Sequence, residues 1–303
     1  MPDKKQTNPI SETCAAQSQN RLEIQSSTIE PGLYLVATPI GNLRDITLRA
    51  LDILSSADLV LAEDTRRARI LLSAYGIKPS LSAYHDHNVA KKLPGVIKAL
   101  SEGKSVALIS DAGTPLVNDP GYKLARACIA EGLPVFAAPG ASAVLAGLVS
   151  SGLSPARFMF AGFLPPKSAA RCTALREVEA VPGSLIYFET AKRIKACLTD
   201  MQEILGDRQA AIARELTKKY EEILRGSFSE LIARIEDTPL RGEIVVVIAP
   251  PDAQAGWDEE TIRAALIPLI KTEGVKRAAA AIAEKSGHKK RDVYAIALKL
   301  KDE

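Results

Sequence analysis

The chain is short of cysteine, has no long apolar run and carries little net charge, and each shortage narrows what it can be. Four cysteines in 303 residues, Cys14, Cys128, Cys172 and Cys197, show no paired spacing, which argues against a disulfide framework and against zinc. Cys128 and Cys197 fall in amphipathic helical patterns beside apolar neighbours, as reduced, packing thiols do. No stretch reaches the roughly 18 to 20 apolar residues needed to cross a bilayer. Residues 1–30 are polar, without the apolar core of a signal peptide, and are expected to form a disordered tail on a soluble, cytoplasmic chain. A formal net charge of +3 is too small to announce a nucleic-acid partner by itself.

What is present suits two packed domains: 47% apolar and 25% charged residues lie in the ordinary globular range. Strand-like runs at 33–38, 58–62, 105–110 and 134–138 alternate with helical patterns at 47–56, 66–75, 120–131 and 141–150. Such alternation predicts an α/β domain, placed at 32–139, with a mostly parallel sheet covered by helices on both faces. Asp119 and Pro120 read as cap and first residue of the 120–131 helix, and Pro94 is expected to delay or kink the helix over Val89–Leu100. A second α/β domain, 140–251, carries strands RFMFAGF, SLIYFET, AAIARE and GEIVVVIA from about Pro155 onward, with helices near 168–180, 191–205 and 228–236.

Beyond Pro250-Pro251-Asp252 the chain becomes helical. Segments 258–272, 275–286 and 289–300 are split at Gly274 and at Ser286-Gly287. Residues 271–301 hold nine Lys or Arg against three acids. Short helices with Lys289, Lys290 and Arg291 opening the last one read either as a helix-turn-helix nucleic-acid module over 256–303 or as a helical cap with a solvated face.

Three strand-end loops look able to hold a ligand: Thr38-Pro-Ile-Gly-Asn-Leu-Arg-Asp45, Ser110-Asp-Ala-Gly-Thr-Pro115 and Ala138-Pro-Gly-Ala-Ser-Ala143. Open α/β proteins grip small molecules at such ends. The first loop fits neither G-x-G-x-x-G nor G-x-x-x-x-G-K-[ST], which counts against classical nicotinamide binding and ATP-driven chemistry. It favours a nucleoside-type ligand without a polyphosphate. Asp111, at the end of a buried run, could accept hydrogen bonds from ligand hydroxyls or an amine. Groups with acid or base potential cluster at Glu63-Asp64-Thr65-Arg66-Arg67 and Tyr84-His85-Asp86-His87-Asn88. Glu215 and Lys218 are further candidates, or else open a solvated helix. The two histidines lack a third ligand of compatible spacing, so no metal is expected. Nothing resembles a Ser-His-Asp elbow or a cysteine nucleophile.

In order along the chain, TPIGNLRDIT (38–47), AEDTR (62–66), HDHN (85–88), SDAGTPLVNDPGY (110–122), EGLPVFAAPGASA (131–143), GFLPPKSAAR (162–171) and ARELTKKYEEI (213–223) resemble the ribosomal RNA small subunit methyltransferase I family. This is a branch of the tetrapyrrole-methylase-like class of S-adenosylmethionine-dependent methyltransferases. The resemblance covers roughly residues 32–303. It implies two α/β domains of the tetrapyrrole methylase type with the cofactor in the interdomain cleft, a small C-terminal helical module, and a homodimer. The cofactor, S-adenosyl-L-methionine, maps onto Pro39, Ile40, Asp111, Gly113, Thr114, Ser142 and Ala143, with Phe163, Leu164, Tyr187, Leu216 and Gly242 from the second domain. At 139–143 relatives often carry a bulkier Pro-Cys pair, so backbone contacts are expected there more than side-chain ones.

The implied reaction is 2′-O-methylation of a cytidine ribose in the decoding region of 16S rRNA, on free rRNA or on the small ribosomal subunit. Asp64, His85 and Lys218 are the candidate proton acceptors. Arg44, Arg66, Lys167, Arg171, Lys289, Lys290 and Arg291 would position phosphates. The competing expectations are a small-molecule methyltransferase of the same fold and a non-catalytic RNA-binding assembly factor.

Overall fold

The computed structural model describes residues 24, 28–85, 87–251 and 257–302. The expected tail over 1–30 therefore lies almost wholly outside the described residues, as does Cys14. The chain divides into two compact units: one runs to Pro39 and from Leu43 to Ala141, the other takes Ile40–Asn42 and continues from Ser142.

The first unit is built on five strands: β1 (Gly32–Val36), β2 (Leu59–Ala62), β3 (Leu81–Ala83), β4 (Ser105–Ile109) and β5 (Val135–Ala138). Their order is β3-β2-β4-β1-β5 and every pairing is parallel. The central strands read as near-continuous apolar runs because both faces are covered. Tyr34, Val36, Val60, Ala62, Ala107 and Ile109 face one core. It is closed by α1 (Leu48–Ser56) and α2 (Thr65–Ala74). Leu33, Leu61, Val106 and Leu108 face the other, under α3 (Val89–Ser101) and α4 (Tyr122–Ala130). Thr47 caps α1 by accepting from the Ala50 amide, and Asp64 caps α2 by accepting from Arg66.

Helix α3 starts at Val89 with Pro94 inside it, so of the expected delay or kink the delay does not occur. One local expectation is corrected. Helix α4 starts at Tyr122 with Gly121 as its cap, and Asp119 and Pro120 lie before it. The loop takes another path because Leu116 (φ 72°), Asn118 (φ 63°) and Gly121 (φ 129°) all turn left-handed. A Cβ at Gly121 would stand 2.5 Å from a Leu108 methyl, so the chain passes too close to the sheet for any other residue. Burial pushes the Asp119 pKa up.

The second unit begins with α5 (Ala143–Ser151), capped by Ser142. Its sheet comprises β6 (Phe158–Phe163), β7 (Ser184–Thr190), β8 (Gln209–Arg214), β9 (Glu222–Ser227) and β10 (Glu243–Ile248), with α6 (Ser168–Val178), α7 (Ile194–Leu205) and α8 (Phe228–Asp237) between them. The order is β6-β7-β10-β8-β9, parallel between β6 and β7 and antiparallel elsewhere. Leu185, Tyr187, Ile212, Val246 and Ile248 form its main core with Cys197, Leu198, Met201 and Phe228. Against Val245 lies α5, where a Cβ on Gly147 would meet a valine methyl at 2.8 Å. Strand β9 was not foreseen, and of the two readings of 214–219 the solvated helix start does not hold: the chain turns there and returns antiparallel to β8. EILRGS is half-buried and edge-on, so it lacks the apolar run that announces a central strand.

Helices α9 (Glu259–Glu273), α10 (Val275–Ser286) and α11 (Lys290–Asp302) share a small core of their own, with Ile262, Leu266, Ala279, Ile282, Val293 and Ala297. Alanines at the contacts let short helices approach closely. Among the described residues no helix is long and apolar enough to cross a membrane. Cys128, Cys172 and Cys197 are free and buried.

Candidate active site

In the first unit all three suspected loops leave the C-terminal ends of β1, β4 and β5, and they are tied together by backbone. Thr38 and Gly113 exchange both bonds, N–H to oxygen at 2.8 Å and 3.0 Å. Gly113 sits at φ 79°, a left-handed turn suited to glycine. The Thr38 hydroxyl, 2% exposed, donates toward the carbonyls of Ser110 and Gly113. Gly140 lies against Ala37, where a Cβ would come within 2.9 Å, and the Thr114 hydroxyl donates to the Ala141 carbonyl at 3.4 Å. Backbone bonds of this kind fix a surface before any ligand arrives. A hollow of about 560 Å³ beside Ser55, Asp58 and Ser105 opens at the other ends of the strands, away from these loops.

Asp111 is partly exposed and doubly held: one carboxylate oxygen accepts from the Asp64 amide at 3.1 Å, the other faces the Arg67 guanidinium at 3.4 Å. Asp64 is committed elsewhere. The Arg66 side chain, first, and the Arg66 amide then hold its carboxyl at about 2. His85 receives a defined orientation from Asn88, whose Oδ1 accepts from the His85 amide while its Nδ2 donates to the Ala83 carbonyl. Nδ2 also lies 3.2 Å from the ring Nε2, which makes Nε2 the acceptor and puts the proton on Nδ1. That Nδ1 is buried and makes no hydrogen bond within the described residues.

In the second unit the ARELTKK stretch is a strained turn after β8. Glu215 (φ 50°) and Thr217 (φ 64°) are left-handed without being glycine, a cost usually met where geometry matters. The Glu215 carboxylate accepts from the Glu243 amide at 3.0 Å and from Lys218 at 2.9 Å, and Lys218 also reaches Glu243 at 2.9 Å. The Glu243 amide and Lys218 together depress the Glu215 pKa. Burial alone would lower that of Lys218, but Glu243 and Glu215 outweigh it and the pKa rises. Gly41 packs onto the same turn, where a Cβ would meet Lys218 at 2.5 Å, and the Asn42 amide donates to the Thr217 hydroxyl. Gly242, at φ 90°, leaves room for Glu215. Leu216 is buried at 8% exposure and Leu164 at 4%, whereas Phe163 is half exposed. Tyr187 is fully buried, its hydroxyl unpartnered within the described residues and pushed by burial to about 12.

Of the suspected phosphate contacts, Arg44, Arg66, Lys167, Lys289, Lys290 and Arg291 are exposed. Arg171 is not, and that expectation is corrected. It is 3% exposed, donates to Asp200 at 2.6 Å and to the carbonyls of Pro165 and Pro166. A guanidinium so enclosed holds the 163–167 loop and has no donor left for RNA. Arg193 joins it, donating to the Leu164 carbonyl at 2.7 Å and pairing with Glu189. Thr38, Arg67 and Asn88 stood inside the motifs read from the sequence but were given no role of their own, because the partners that define them, Gly113, Asp111 and the His85 ring, are set only by the folded loops. Among the described residues no group of three His, Cys, Asp or Glu could hold a metal.

Residues 32–232 match the family model of Tetrapyrrole (Corrin/Porphyrin) Methylases, and residues 255–301 match the RsmI C-terminal HTH domain. A protein of Mesorhizobium japonicum named ribosomal RNA small subunit methyltransferase I is 49% identical over 92% of this chain and 96% of its own. The chain belongs to that family. An Escherichia coli O157:H7 protein of the same name is 44% identical over 88% of this chain and 94% of its own. Among solved structures, diphthine synthase superposes with a TM-score of 0.57 at 16% identity, covering 72% of this chain and 89% of that one. Cobalt precorrin-4 methyltransferase does so with a TM-score of 0.54 at 17% identity, covering 72% and 94%. These two likenesses concern the fold alone. The match over residues 255–301 identifies the last three helices as a helix-turn-helix domain.

Proposed function

We propose that this chain, an S-adenosylmethionine-dependent methyltransferase of small-subunit ribosomal RNA, methylates the 2′-hydroxyl of a cytidine ribose in the decoding region of 16S rRNA. The observation that carries the reading is the set of three strand-end loops, the first two joined by the Thr38–Gly113 exchange and the third reached by the Thr114 hydroxyl, in a chain whose relatives bear that family name. The residues fit the cofactor: backbone amides, small side chains and one carboxylate suit a nucleoside with an amino-acid tail, and no polyphosphate cradle competes. Pro39, Ile40, Asp111, Gly113, Thr114, Ser142 and Ala143 are proposed to hold it, with Phe163, Leu164, Tyr187, Leu216 and Gly242.

When bound, S-adenosylmethionine supplies a methyl already activated on a sulfonium. What remains for the protein is to hold the ribose hydroxyl in line and to let its proton leave. Asp64, held at about 2 by Arg66, is a weak proton acceptor and orders the loop through Arg66 and Asp111. Lys218, with its raised pKa, is a cation at neutral pH and suits a phosphate or a developing oxyanion. His85 is the remaining candidate: with the proton on Nδ1 its lone pair lies at Nε2, which would take the hydroxyl proton in exchange for its contact with the Asn88 amide. Exposed Arg44, Arg66, Lys167, Lys289, Lys290 and Arg291 are proposed to position the RNA backbone. A homodimer in the cytoplasm is part of the same reading. Phe158 and Met159 on edge strand β6, and Leu145 and Val149 on α5, are large apolar side chains left exposed, as a partner surface requires.

The test is to incubate the protein with tritiated S-adenosylmethionine and small ribosomal subunits from a strain lacking this activity, then map the label by nuclease digestion and mass spectrometry. Label on one cytidine ribose is expected. Tight cofactor binding with label on a base, or on no nucleotide, would refute the acceptor.

A further inference from the structure

Among the described residues two tyrosines stand out of the surface with a cation laid over the ring. Tyr122 is 62% exposed, and the Arg126 guanidinium carbon lies 5.8 Å from its centroid. Tyr220 is 65% exposed, with the Lys219 ammonium 5.5 Å from its centroid. Tyrosine ordinarily buries much of its ring, so two such rings held open to water call for a reason.

Each ring follows directly on a loop already assigned to ligand or substrate. Tyr122 ends the 110–121 loop, whose left-handed Leu116, Asn118 and Gly121 deliver it to the first position of α4. Tyr220 comes two residues after Lys218, on the turn strained at Glu215 and Thr217 and pinned by the Glu243 bonds. Neither ring takes part in the cores of its unit. On the helix that carries Tyr122 the charges are of one sign, and beside Tyr220 the two acids have partners of their own. Exposed Lys123 and Arg126 share α4 with no acid before Glu131. Beside Tyr220, Glu221 is taken up by the Thr217 amide and Glu222 by Arg214, which leaves Lys219 over the ring. An exposed aromatic face with a cation at its edge is the chemistry that receives an unstacked base and its adjoining phosphate.

Resting on the reading that the acceptor is RNA, we propose that Tyr122 and Tyr220 are stacking platforms for unpaired nucleotides of the strand carrying the target, with Arg126 and Lys219 contacting the neighbouring phosphates. A ribose 2′-hydroxyl presented in line needs its nucleotide drawn out of the helix. Rings that stack the displaced bases supply that presentation without reading sequence.

The experiment compares Tyr122→Ala, Tyr220→Ala, Tyr122→Phe and Tyr220→Phe with the wild type on unmodified small ribosomal subunits, measuring KM and kcat. Cofactor affinity is followed by calorimetry and assembly by gel filtration. Each alanine variant is expected to raise KM for subunits by about 5- to 150-fold, the range given by one base-stacking contact. Phenylalanine should restore wild-type KM, and cofactor affinity and elution volume should not change. Arg126→Gln and Lys219→Gln should each lower the salt dependence of RNA binding, which the tyrosine variants leave intact. Wild-type KM in the alanine variants would overturn the proposal, as would a phenylalanine variant as weak as alanine. A loss that follows cofactor affinity would overturn it in favour of a cofactor contact, and an altered elution volume in favour of a protein interface. A wild type that binds cofactor yet leaves subunits unlabelled would instead refute the RNA reading on which the proposal rests.

Discussion

Gly242→Ala is the sharpest probe of how the second unit is built. At φ 90° an alanine would be strained, and its Cβ would stand 2.4 Å from a Glu215 carboxylate oxygen and 2.6 Å from Cγ. The backbone conformation alone costs about 1–2 kcal/mol. Relieving the clash by swinging Glu215 away removes its bonds to the Glu243 amide and to Lys218. Hydrogen bonds to a charged group are worth about 1.5–3 kcal/mol each, and Lys218 keeps Glu243, so the whole loss is about 3–5 kcal/mol.

Urea unfolding of Gly242→Ala, Glu215→Ala and the double variant measures it. With the carboxylate already gone the clash disappears, so the double variant should be less destabilised than the sum of the singles by at least about 1 kcal/mol. The pH dependence gives a second check. Glu215 has a depressed pKa in the folded state, so its contribution is complete above the ordinary glutamate value and is lost as pH falls through the folded one. Lys218 has a raised pKa, so its contribution is complete below the ordinary lysine value and is lost as pH rises through the folded one. Both dependences should shrink in Gly242→Ala. Additivity of the two single substitutions within about 0.5 kcal/mol would refute the reasoning.

Arg171→Ala leaves Asp200 buried without its partner and should cost about 3–5 kcal/mol in chemical unfolding, with the salt slope of RNA binding unchanged. A stable variant with weakened RNA binding would restore the phosphate role. Replacing Lys289, Lys290 and Arg291 together by Gln should flatten the logarithmic salt slope of RNA binding by about 2 while cofactor affinity holds, whereas an unchanged slope would return α11 to a structural role. His85→Gln should lower kcat by about 100-fold or more with KM and cofactor affinity kept, and undiminished turnover would remove His85 as proton acceptor. Asp64→Asn keeps a capping oxygen but removes the charge. Because the Asp64 pKa lies at about 2, the wild type alone should lose stability from this group as pH falls from 3.8 toward 2, read by acid unfolding.

Much of this fold was legible because its strands are buried on both faces. GLYLV, LVLA and SVALI announce themselves as apolar runs, and each is followed by a polar loop and a helix pattern of 3.6-residue period. The helices after residue 255 were equally plain, because Gly274 and Gly287 stop α9 and α10 where the pattern breaks. β9 escaped notice because an edge strand needs only one bonding neighbour and can be charged on its open face. The start of α4 was misplaced because Asp-Pro is a fair helix opening locally, and only the nearness of Leu108 to Gly121 makes the chain turn later.

For the site, the loops at strand ends are readable from the chain alone, since the alternation of apolar run and polar turn is a local property that survives without neighbours. So is the basic excess of the last helices. What each polar group does follows from the fold. Arg171 and Arg66 both stand in motifs that carry the family resemblance, yet one is sealed against Asp200 and the other lies 85% exposed beside Asp64. Glu215 and Lys218 likewise owe their shifted pKa values in part to Glu243, which folding brings to them from the start of β10. Burial and pairing of this kind are set by residues far apart in the chain, and a charge takes its chemical role from the groups that surround it.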